Sequence, residues 1–219
     1  MRKVIVFEWM SLDGVVQAPV YTDEDPSGGF KHGGWHLRYF EERSMKWIVE
    51  TVSQAGGFLF GRRTYDVFAQ HWPNASPEEQ AFAQPLNTRP KYVASNTLRE
   101  PLAWQNSMLL GSPIAESVAK LRGEDGGDLL VIGSSELAAT LLAHDLVDEL
   151  RLMIDPVILG GGKRFFRDDG ACLRLALLKS ETTPTGATLA TYARAGADAP
   201  AGVSAVPLPR PPRDRHGRS

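Results

Sequence analysis

The chain has 219 residues, of which 42% are hydrophobic and 23% are charged, and its formal net charge at pH 7 is −2. A globular chain of this length forms one large or two small domains and buries roughly 70% of its unfolded surface. The small net charge gives no electrostatic reason to expect nucleic acid or an anionic membrane as a partner. The single cysteine, Cys172, excludes an internal disulfide and favours a reducing compartment, and we expect it to pack in its apolar stretch.

Both ends of the chain give simple expectations. The first apolar run, at residues 4–7, stops at Glu8, which is shorter than the roughly 7 to 15 residues of a signal peptide. No later run approaches the roughly 18 apolar residues of a membrane span, so we expect a cytoplasmic protein. Residues 196–219 hold five prolines and four arginines. This composition predicts one folded domain over residues 1–195 and a disordered tail at 196–219, with a basic docking arm as the alternative.

Short apolar or β-branched runs between turn residues predict the strands of the folded part. They lie at residues 4–9, 57–60, 91–95, 128–132, 150–159, 173–179 and 187–193. The Pro-Thr-Gly turn at 184–186 predicts that the last two strands form an antiparallel hairpin.

Helical spacing of apolar residues predicts helices between the strands, at 37–53, 64–71, 114–121 and 137–142. Strands that alternate with helices imply parallel crossover connections. The predicted fold class is therefore α/β, with a mixed, mostly parallel sheet flanked by helices and an antiparallel C-terminal hairpin.

Three strand ends carry the functional signal. At the first, Gly61 leads directly into a predicted helix that starts with Arg62, Arg63 and Thr64. Free amides and the positive end of a helix dipole favour an anion at such a point, and arginine adds bidentate phosphate geometry. The alternative is a solvated arginine pair with Thr64 as an ordinary helix cap.

The other two strand ends are weaker signals of the same kind. Gly133, Ser134 and Ser135 follow the strand at 128–132 and open a helix, although the charge of Glu136 would disfavour a nearby phosphate. The strand at 91–95 ends in Ser95 and Asn96, at the kind of position where open parallel sheets bind ligands. Read separately, either could be an ordinary turn.

Taken in order, these elements resemble the NADPH-contacting segments of dihydrofolate reductase. The chain is more similar still to the reductase domain of bacterial riboflavin biosynthesis and its stand-alone relatives. The motifs that carry this resemblance are Ser-Leu-Asp-Gly at 11–14, Gly-Arg-Arg-Thr-Tyr at 61–65, Ser-Asn at 95–96, Val-Ile-Gly-Ser-Ser at 131–135, Val-Asp-Glu-Leu at 147–150 and Pro-Val-Ile-Leu-Gly-Gly-Gly at 156–162. The resemblance spans roughly residues 2–194.

The resemblance implies NADPH as cofactor and assigns residues to it. Asp13 would lie beside the nicotinamide, where a carboxylate could orient a substrate or relay a proton, although an Asp-Gly pair is also a common turn. The residues implied to bind the cofactor are Gly61, Arg62, Arg63 and Thr64 at the phosphates, Ser95 and Asn96 near the 2′-phosphate, Gly133, Ser134 and Ser135 along the pyrophosphate, and Gly161 and Gly162 in the cleft.

Several other patterns are rejected. His32 and His36 lack further ligands at a fitting spacing, so we predict no metal site. The Gly-Gly-Gly-Lys run at 160–163 lacks the hydroxyl residue and the earlier glycine of a P-loop. A chain with one cysteine cannot carry the zinc deaminase half of a bifunctional riboflavin enzyme. Glu50 lies too close to Gly61 in sequence to be assigned the pterin-binding carboxylate of the folate enzymes.

The polar, glycine-rich segment at 21–35 is predicted to be a mobile lid, with Phe30 and Trp35 either stacking on a ligand or anchoring the segment. The resulting hypothesis is a cytoplasmic, homodimeric, NADPH-dependent reductase of a small heterocyclic (pterin- or pyrimidine-like) or carbonyl compound. The alternatives are a nucleotide-binding or regulatory protein that keeps the fold without turnover, and a structural dimer module.

Overall fold

The computed structural model describes residues 1–195, which are organised around one eight-stranded sheet. The strands are β1 (Val4–Ser11), β2 (Gly57–Gly61), β3 (Lys91–Ala94), β4 (Ser107–Leu109), β5 (Leu129–Ile132), β6 (Glu149–Asp155), β7 (Leu175–Thr182) and β8 (Thr188–Arg194). Their order across the sheet is β4-β3-β2-β5-β1-β6-β8-β7. Strands β1 to β6 pair in parallel, whereas β8 is antiparallel to β6 and to β7. The predicted fold class and C-terminal hairpin are confirmed, and the predicted tail lies outside the described residues.

Helices cover both faces of this sheet. They are α1 (Glu42–Gln54), α2 (Arg62–His71), α3 (Gln80–Thr88), α4 (Ile114–Gly123) and α5 (Ser135–Ala143). The apolar side chains of α1, α2 and α3 pack on one face, in a cluster rich in aromatic residues. Those of α4 and α5 pack on the other face, in a largely aliphatic cluster. These two layers explain why the parallel strands are nearly continuous apolar runs, because both of their faces are buried.

The central strand β1 shows this two-sided burial most clearly. Ile5 and Phe7 point toward the α1 face, and Val4 and Val6 point toward the α5 face. Because side chains alternate along a strand, Glu8 falls on the aliphatic α5 face and Trp9 on the aromatic α1 face. Two residues that differ completely in chemistry therefore occupy opposite sides of the same strand.

The first predicted helix begins later than expected. Residues Leu37–Tyr39 form a separate 3₁₀ turn, and the α-helix starts at Glu42. Glu41 takes an extended conformation, and its carboxylate accepts hydrogen bonds from the amides of Arg43 and Ser44. This capping box starts the helix about one turn after the apolar pattern does.

Other differences from the sequence predictions are local. Helix α3 and strand β4 were not predicted, and α3 tolerates Pro85 inside it. The strand predicted at 150–159 ends at Asp155, because Pro156 cannot continue the ladder. Cys172 is exposed, so the expectation that it packs in the interior was wrong. Within residues 1–195, no helix has the length and apolar character needed to cross a membrane.

Candidate active site

The sheet opens between β5 and β1 at its carboxyl edge. The β1–β5 pairing ends at the Phe7–Ile132 position, whereas β1 continues along β6 as far as Ser11 and Asp155. Strands β2, β3 and β4 follow one another toward one edge of the sheet, and β5 then returns to lie between β2 and β1. The direction in which successive strands are added therefore reverses here. Such a switch point is where open α/β sheets bind ligands.

The first and second predicted junctions meet at this edge. The Gly61 amide donates a 2.9 Å hydrogen bond to Ser134 Oγ, which donates a 2.8 Å bond to Thr64 Oγ1. Gly133 and Ser134 both have left-handed backbone conformations, with φ of 56° and 58°. A Cβ atom on Gly61 would lie 3.5 Å from Ser134, which is an ordinary van der Waals contact, so the two junctions pack directly against each other. The hydroxyl groups predicted to meet phosphates therefore also join the two junctions to each other.

Helices α2 and α5 both begin at these junctions, and neither first turn is capped by a side chain. They follow the neighbouring strands β2 and β5, so their first-turn amides lie at the same carboxyl edge of the sheet. A helix N-terminus carries about half a positive charge, so two adjacent ones make this edge attractive to an anion.

The charged residues at the first two junctions differ in whether they already form an ion pair. Arg62 forms an ion pair with Asp66 at 3.0 Å, one turn along α2. Arg63 is exposed and forms no ion pair within residues 1–195. Glu136 is also exposed and pairs with Arg167 at 2.6 Å, so its charge is partly balanced. Among the charged residues at the first two junctions that the structure describes, Arg63 is therefore a cation that is free to bind an anionic ligand.

The third predicted junction is a turn at the end of β3. Ser95 Oγ accepts hydrogen bonds from the amides of Thr97 and Leu98, at 3.1 and 3.0 Å. Asn96 is exposed. Because Ala94 pairs with Gly61 in the parallel register, this turn lies beside the start of α2. The structure thus brings all three junctions to one edge, with Ser95 already engaged in its own turn.

Asp13 lies in the loop after β1 and is held by several donors. Its carboxylate accepts hydrogen bonds from the Ser11 hydroxyl at 2.7 Å and from the amides of Leu159 and Gly160 at 3.1 and 3.0 Å. Burial would raise the pKa of Asp13, but these hydrogen bonds outweigh it and hold the pKa below the usual value. Arg164 also lies 3.6 Å from this carboxylate. The geometry favours an ionised residue that orients the 159–160 backbone over one that donates a proton.

The glycine run at 160–162 has two different parts. A Cβ atom on Gly161 would meet nothing within 4 Å, so that residue borders open space. A Cβ atom on Gly162, whose φ is 116°, would lie 2.8 Å from the Phe30 ring and from Val15. Gly161 could therefore lie against a ligand, whereas Gly162 is needed for packing inside the protein.

The predicted lid, at 21–35, is tied to the loops around the crevice. Trp35 is buried and donates a 2.9 Å hydrogen bond to the Gln17 carbonyl. Lys163 and Asp25 form an ion pair at 2.5 Å, and the Gln17 side chain bonds the carbonyls of Asp25 and Ser27. Phe30 and Trp35 thus act as anchors of this segment in the structure.

Sequence reasoning missed Glu8, which is buried on the aliphatic face of β1. Burial raises the pKa of Glu8 to about 8, and the Trp9 amide only partly opposes this shift. One carboxyl oxygen, Oε2, has no partner within the described residues. The strand register places Glu8 beside Gly133, just past the last β1–β5 pair. An acid inside a strand gave no recognisable motif, apart from its interruption of an apolar run.

A second missed group lies on the aromatic face. His36 Nδ1 is 2.6 Å from Asp155 Oδ2, and both side chains are fully buried. In the sequence His36 stands out only through its spacing from His32. Within residues 1–195, no cluster of three or more metal-binding side chains exists. Trp9 packs against His36, with ring centroids 5.6 Å apart. A separation of 119 residues between His36 and Asp155 hid this pair from sequence analysis.

Two solved structures share this fold. A protein from Shewanella sp. PV-4, named for riboflavin biosynthesis, has a TM-score of 0.62 and 24% identity, covering 88% of this chain and 98% of that chain. A pyrimidine reductase-like protein from Corynebacterium diphtheriae NCTC has a TM-score of 0.61 and 13% identity, covering 88% and 92%.

Sequence comparison leads to the same family. The uncharacterized protein YyaP of Bacillus subtilis (strain 168) is 32% identical over 147 residues, which cover 66% of this chain and 77% of that protein. The sequence profile of the RibD C-terminal domain family matches residues 2–189. The predicted resemblance to riboflavin-biosynthesis reductase domains, with their dihydrofolate reductase-like fold, is confirmed. The chain belongs to the RibD C-terminal domain family.

Proposed function

We propose that this protein is an NADPH-dependent reductase of a small heterocyclic or carbonyl compound. The observation that carries the proposal is the pair of uncapped helix N-termini, α2 and α5, at the switch point of the sheet. An extended ligand with several phosphate groups suits such an edge, since each helix start offers free amides to a separate anionic group. The pyrimidine reductase-like neighbour supports a flat nitrogen heterocycle as substrate.

The residues at this edge fit a phosphorylated dinucleotide. The first-turn amides of α2 and α5 would bind the phosphates, and the exposed Arg63 would add a charged donor. Asn96 and Ser95, next to the start of α2, would lie near a 2′-phosphate, and Gly161 borders open space on the other side of the crevice. When bound, NADPH supplies the two electrons and the hydrogen that reduce the substrate.

The remaining residues of the site would position these groups. Ser134 and Thr64 join the two helix starts, so the spacing between the two anion-binding points is fixed by hydrogen bonds. Asp13 holds the 159–160 backbone against the loop after β1, which shapes the wall of the crevice. We also propose that the enzyme works in the cytoplasm on a small molecule, with neither nucleic acid nor membrane as a partner.

Titration of the protein with NADPH and with NADH, followed by calorimetry, tests this proposal. We expect NADPH to bind more tightly, and Arg63→Ala to weaken it about tenfold, which corresponds to about 1.4 kcal/mol. Arg174→Ala removes an exposed arginine just before β7, at the opposite edge of the sheet, and should leave the dissociation constant unchanged. Failure of NADPH to bind at millimolar concentration would refute the proposal.

The competing hypothesis, a nucleotide-binding protein without turnover, makes a different prediction. It expects NADPH binding with no cofactor oxidation in the presence of pterins, ribosylaminopyrimidines or quinones. The reductase proposal expects oxidation with at least one of these. The absorbance of the reduced cofactor at 340 nm distinguishes the two directly.

A further inference from the structure

Three contacting side chains on the aromatic face each keep one buried polar atom without a partner. The atoms are Trp9 Nε1, His36 Nε2 and Asp155 Oδ1, and no group within residues 1–195 bonds them. Trp9 and His36 are in ring contact, and His36 bonds Asp155. We call this group the Trp9–His36–Asp155 cluster.

Such a cluster is costly for the folded state. Each buried polar atom without a partner costs about 1–3 kcal/mol. Here three such atoms belong to side chains that contact one another, so the cost is concentrated at one place. This concentration calls for an explanation, such as a catalytic role. Trp35 lies in the same layer, 5.9 Å from His36 between ring centroids, and its indole nitrogen is bonded. Trp35 therefore differs from Trp9, whose indole nitrogen has no partner within residues 1–195.

The position of the cluster connects it with the crevice. Trp9 and Asp155 lie in the carboxyl-end segments of β1 and β6, beyond the last β1–β5 pair. Phe40, which is partly buried, covers the His36 ring at a centroid distance of 4.5 Å, and the exposed Leu37 belongs to the same 3₁₀ turn. Aromatic side chains surround the polar atoms, as is suitable for a flat conjugated compound.

We propose that the Trp9–His36–Asp155 cluster supplies the proton for the reduction and orients the substrate. This inference rests on the proposed reductase function. His36 is the catalytic acid through Nε2, and Trp9 Nε1 donates a hydrogen bond to the substrate. Asp155 is a positioning residue, because it acts through His36 Nδ1.

The step balances as the reduction of one C=N or C=O double bond. The carbon gains the hydrogen and the electron pair that the reduced dinucleotide supplies, and the π bond breaks. The nitrogen or oxygen takes the proton from His36 Nε2, which forms the N–H or O–H bond. The His36–Asp155 pair then has one proton fewer, and it regains this proton from solvent after product release.

The other buried or nearby acids are less suitable donors. Asp13 is held as an anion by its hydrogen bonds. Glu8 lies on the opposite face of β1, among aliphatic side chains. Within residues 1–195, Asp155 pairs with His36, and the rings that contact His36 are those of Trp9, Trp35 and Phe40.

Steady-state kinetics of two conservative variants test the role of the cluster, with a pterin, a ribosylaminouracil and menadione as probes. We expect His36→Gln to lower kcat by about 100-fold or more, the usual contribution of a general acid. Asp155→Asn should lower kcat less and shift its pH profile. The dissociation constant for NADPH should stay within about twofold in both variants, which separates failure of this inference from failure to bind the cofactor.

A matched pair of tryptophan variants adds a readout of binding and of stability to the kinetic one. Trp9→Phe removes a donor that has no partner, so it should weaken binding of the turned-over probe to the NADP⁺-loaded protein by about tenfold with little change in Tm. Trp35→Phe breaks the bond to the Gln17 carbonyl, so it should lower Tm and leave probe binding unchanged. The ¹⁵N NMR signal of His36 Nε2 should move when that probe binds.

A purely structural cluster would give the opposite pattern. His36→Gln and Asp155→Asn would then lower Tm but keep the wild-type kcat and pH profile. The same conclusion would follow if a probe bound without moving the His36 signal. Either result would overturn the inference while leaving the NADPH site intact.

Discussion

Glu8 places an ionisable carboxyl group on the aliphatic face of the central strand. The group is buried and its Oε2 has no partner within residues 1–195, and both features favour the neutral form. Burial raises the folded-state pKa of Glu8 to about 8, far above the ordinary glutamate value of about 4.5. The folded state therefore binds the proton more tightly than the unfolded state between these two values. The stability that this proton contributes is fully present below pH 4.5 and is lost as the pH rises toward 8.

Glu8→Gln should remove this pH dependence. Between pH 5.5 and 7.5 we expect the free energy of unfolding of the wild type to fall by about 2–3 kcal/mol through Glu8, at about 1.4 kcal/mol per pH unit. The amide has no proton to lose, so the variant should lack that contribution. Urea denaturation at the two pH values measures the difference.

Glu50→Gln is the matched control, because Glu50 is exposed on α1 and, within residues 1–195, forms an ion pair only with Lys46, at 4.0 Å. It should keep the wild-type slope. Equal slopes for the wild type and the Glu8 variant would mean that Glu8 is already ionised in the folded protein. Asp13 and Asp25 affect stability in a different pH range. Their pKa values are lowered in the folded state, so the stability that these carboxylates contribute is lost only at acidic pH.

At the scale of elements, the sequence predicted those strands and helices that are marked by residues within or next to them. The strand ends at Gly61 and Gly133 were found because glycine, hydroxyl and cationic residues follow short apolar runs. The start of α1 was misplaced because the apolar pattern reached back into the 3₁₀ turn before the Glu41 cap. Helix α3 was not predicted, and it contains Pro85, a residue that disfavours the interior of a helix and is buried here against the core.

The parts of the candidate site that were missed depend on contacts between distant segments. Asp155 and His36 meet only because β6 pairs with β1 and the segment before α1 folds over both. Neither residue has a local pattern that distinguishes it from a surface residue. Glu8 was missed for a similar reason, since the helices that cover this face of the sheet lie more than a hundred residues later in the chain.

The glycine loop between β6 and β7 offers a prediction at the same scale. Gly162→Ala would force a Cβ atom to within 2.8 Å of the Phe30 ring and Val15, at a φ of 116° that alanine rarely adopts. We expect it to destabilise the protein by about 1–3 kcal/mol, the usual range for overpacking and for backbone strain. Thermal unfolding of the variant measures this loss.

Gly161→Ala separates packing from ligand binding in that loop. A Cβ atom at this position meets nothing within 4 Å, so Tm should stay within about a degree of the wild type because surface changes are usually small. If Gly161 lies against the cofactor or substrate, the same variant should weaken binding. A loss of stability equal to that of Gly162→Ala would contradict this division of the loop.

At the scale of the whole molecule, the two edge strands of the sheet differ in length and in exposure. Strand β4 at one edge is three residues long, which is a common way to prevent edge pairing. Strand β7 at the other edge is eight residues long, and its side chains are mostly exposed. Leu177 and Leu178 in this strand are each more than half exposed, at a bulge in the β7–β8 ladder. Exposed leucines on a long strand that has no neighbour on its outer side within residues 1–195 are typical of a surface that another chain covers.

A second copy of the chain is the partner that this edge fits best, because an antiparallel β7–β7 pair is self-complementary about a twofold axis. We therefore predict a homodimer in solution, with a sedimentation-equilibrium mass twice the 24.0 kDa of one chain. Leu177→Lys with Leu178→Lys should give a folded monomer, since both leucines are exposed in the single chain. Met108→Lys on the β4 edge should leave the dimer intact, and a monomeric wild type at micromolar concentration would contradict the prediction.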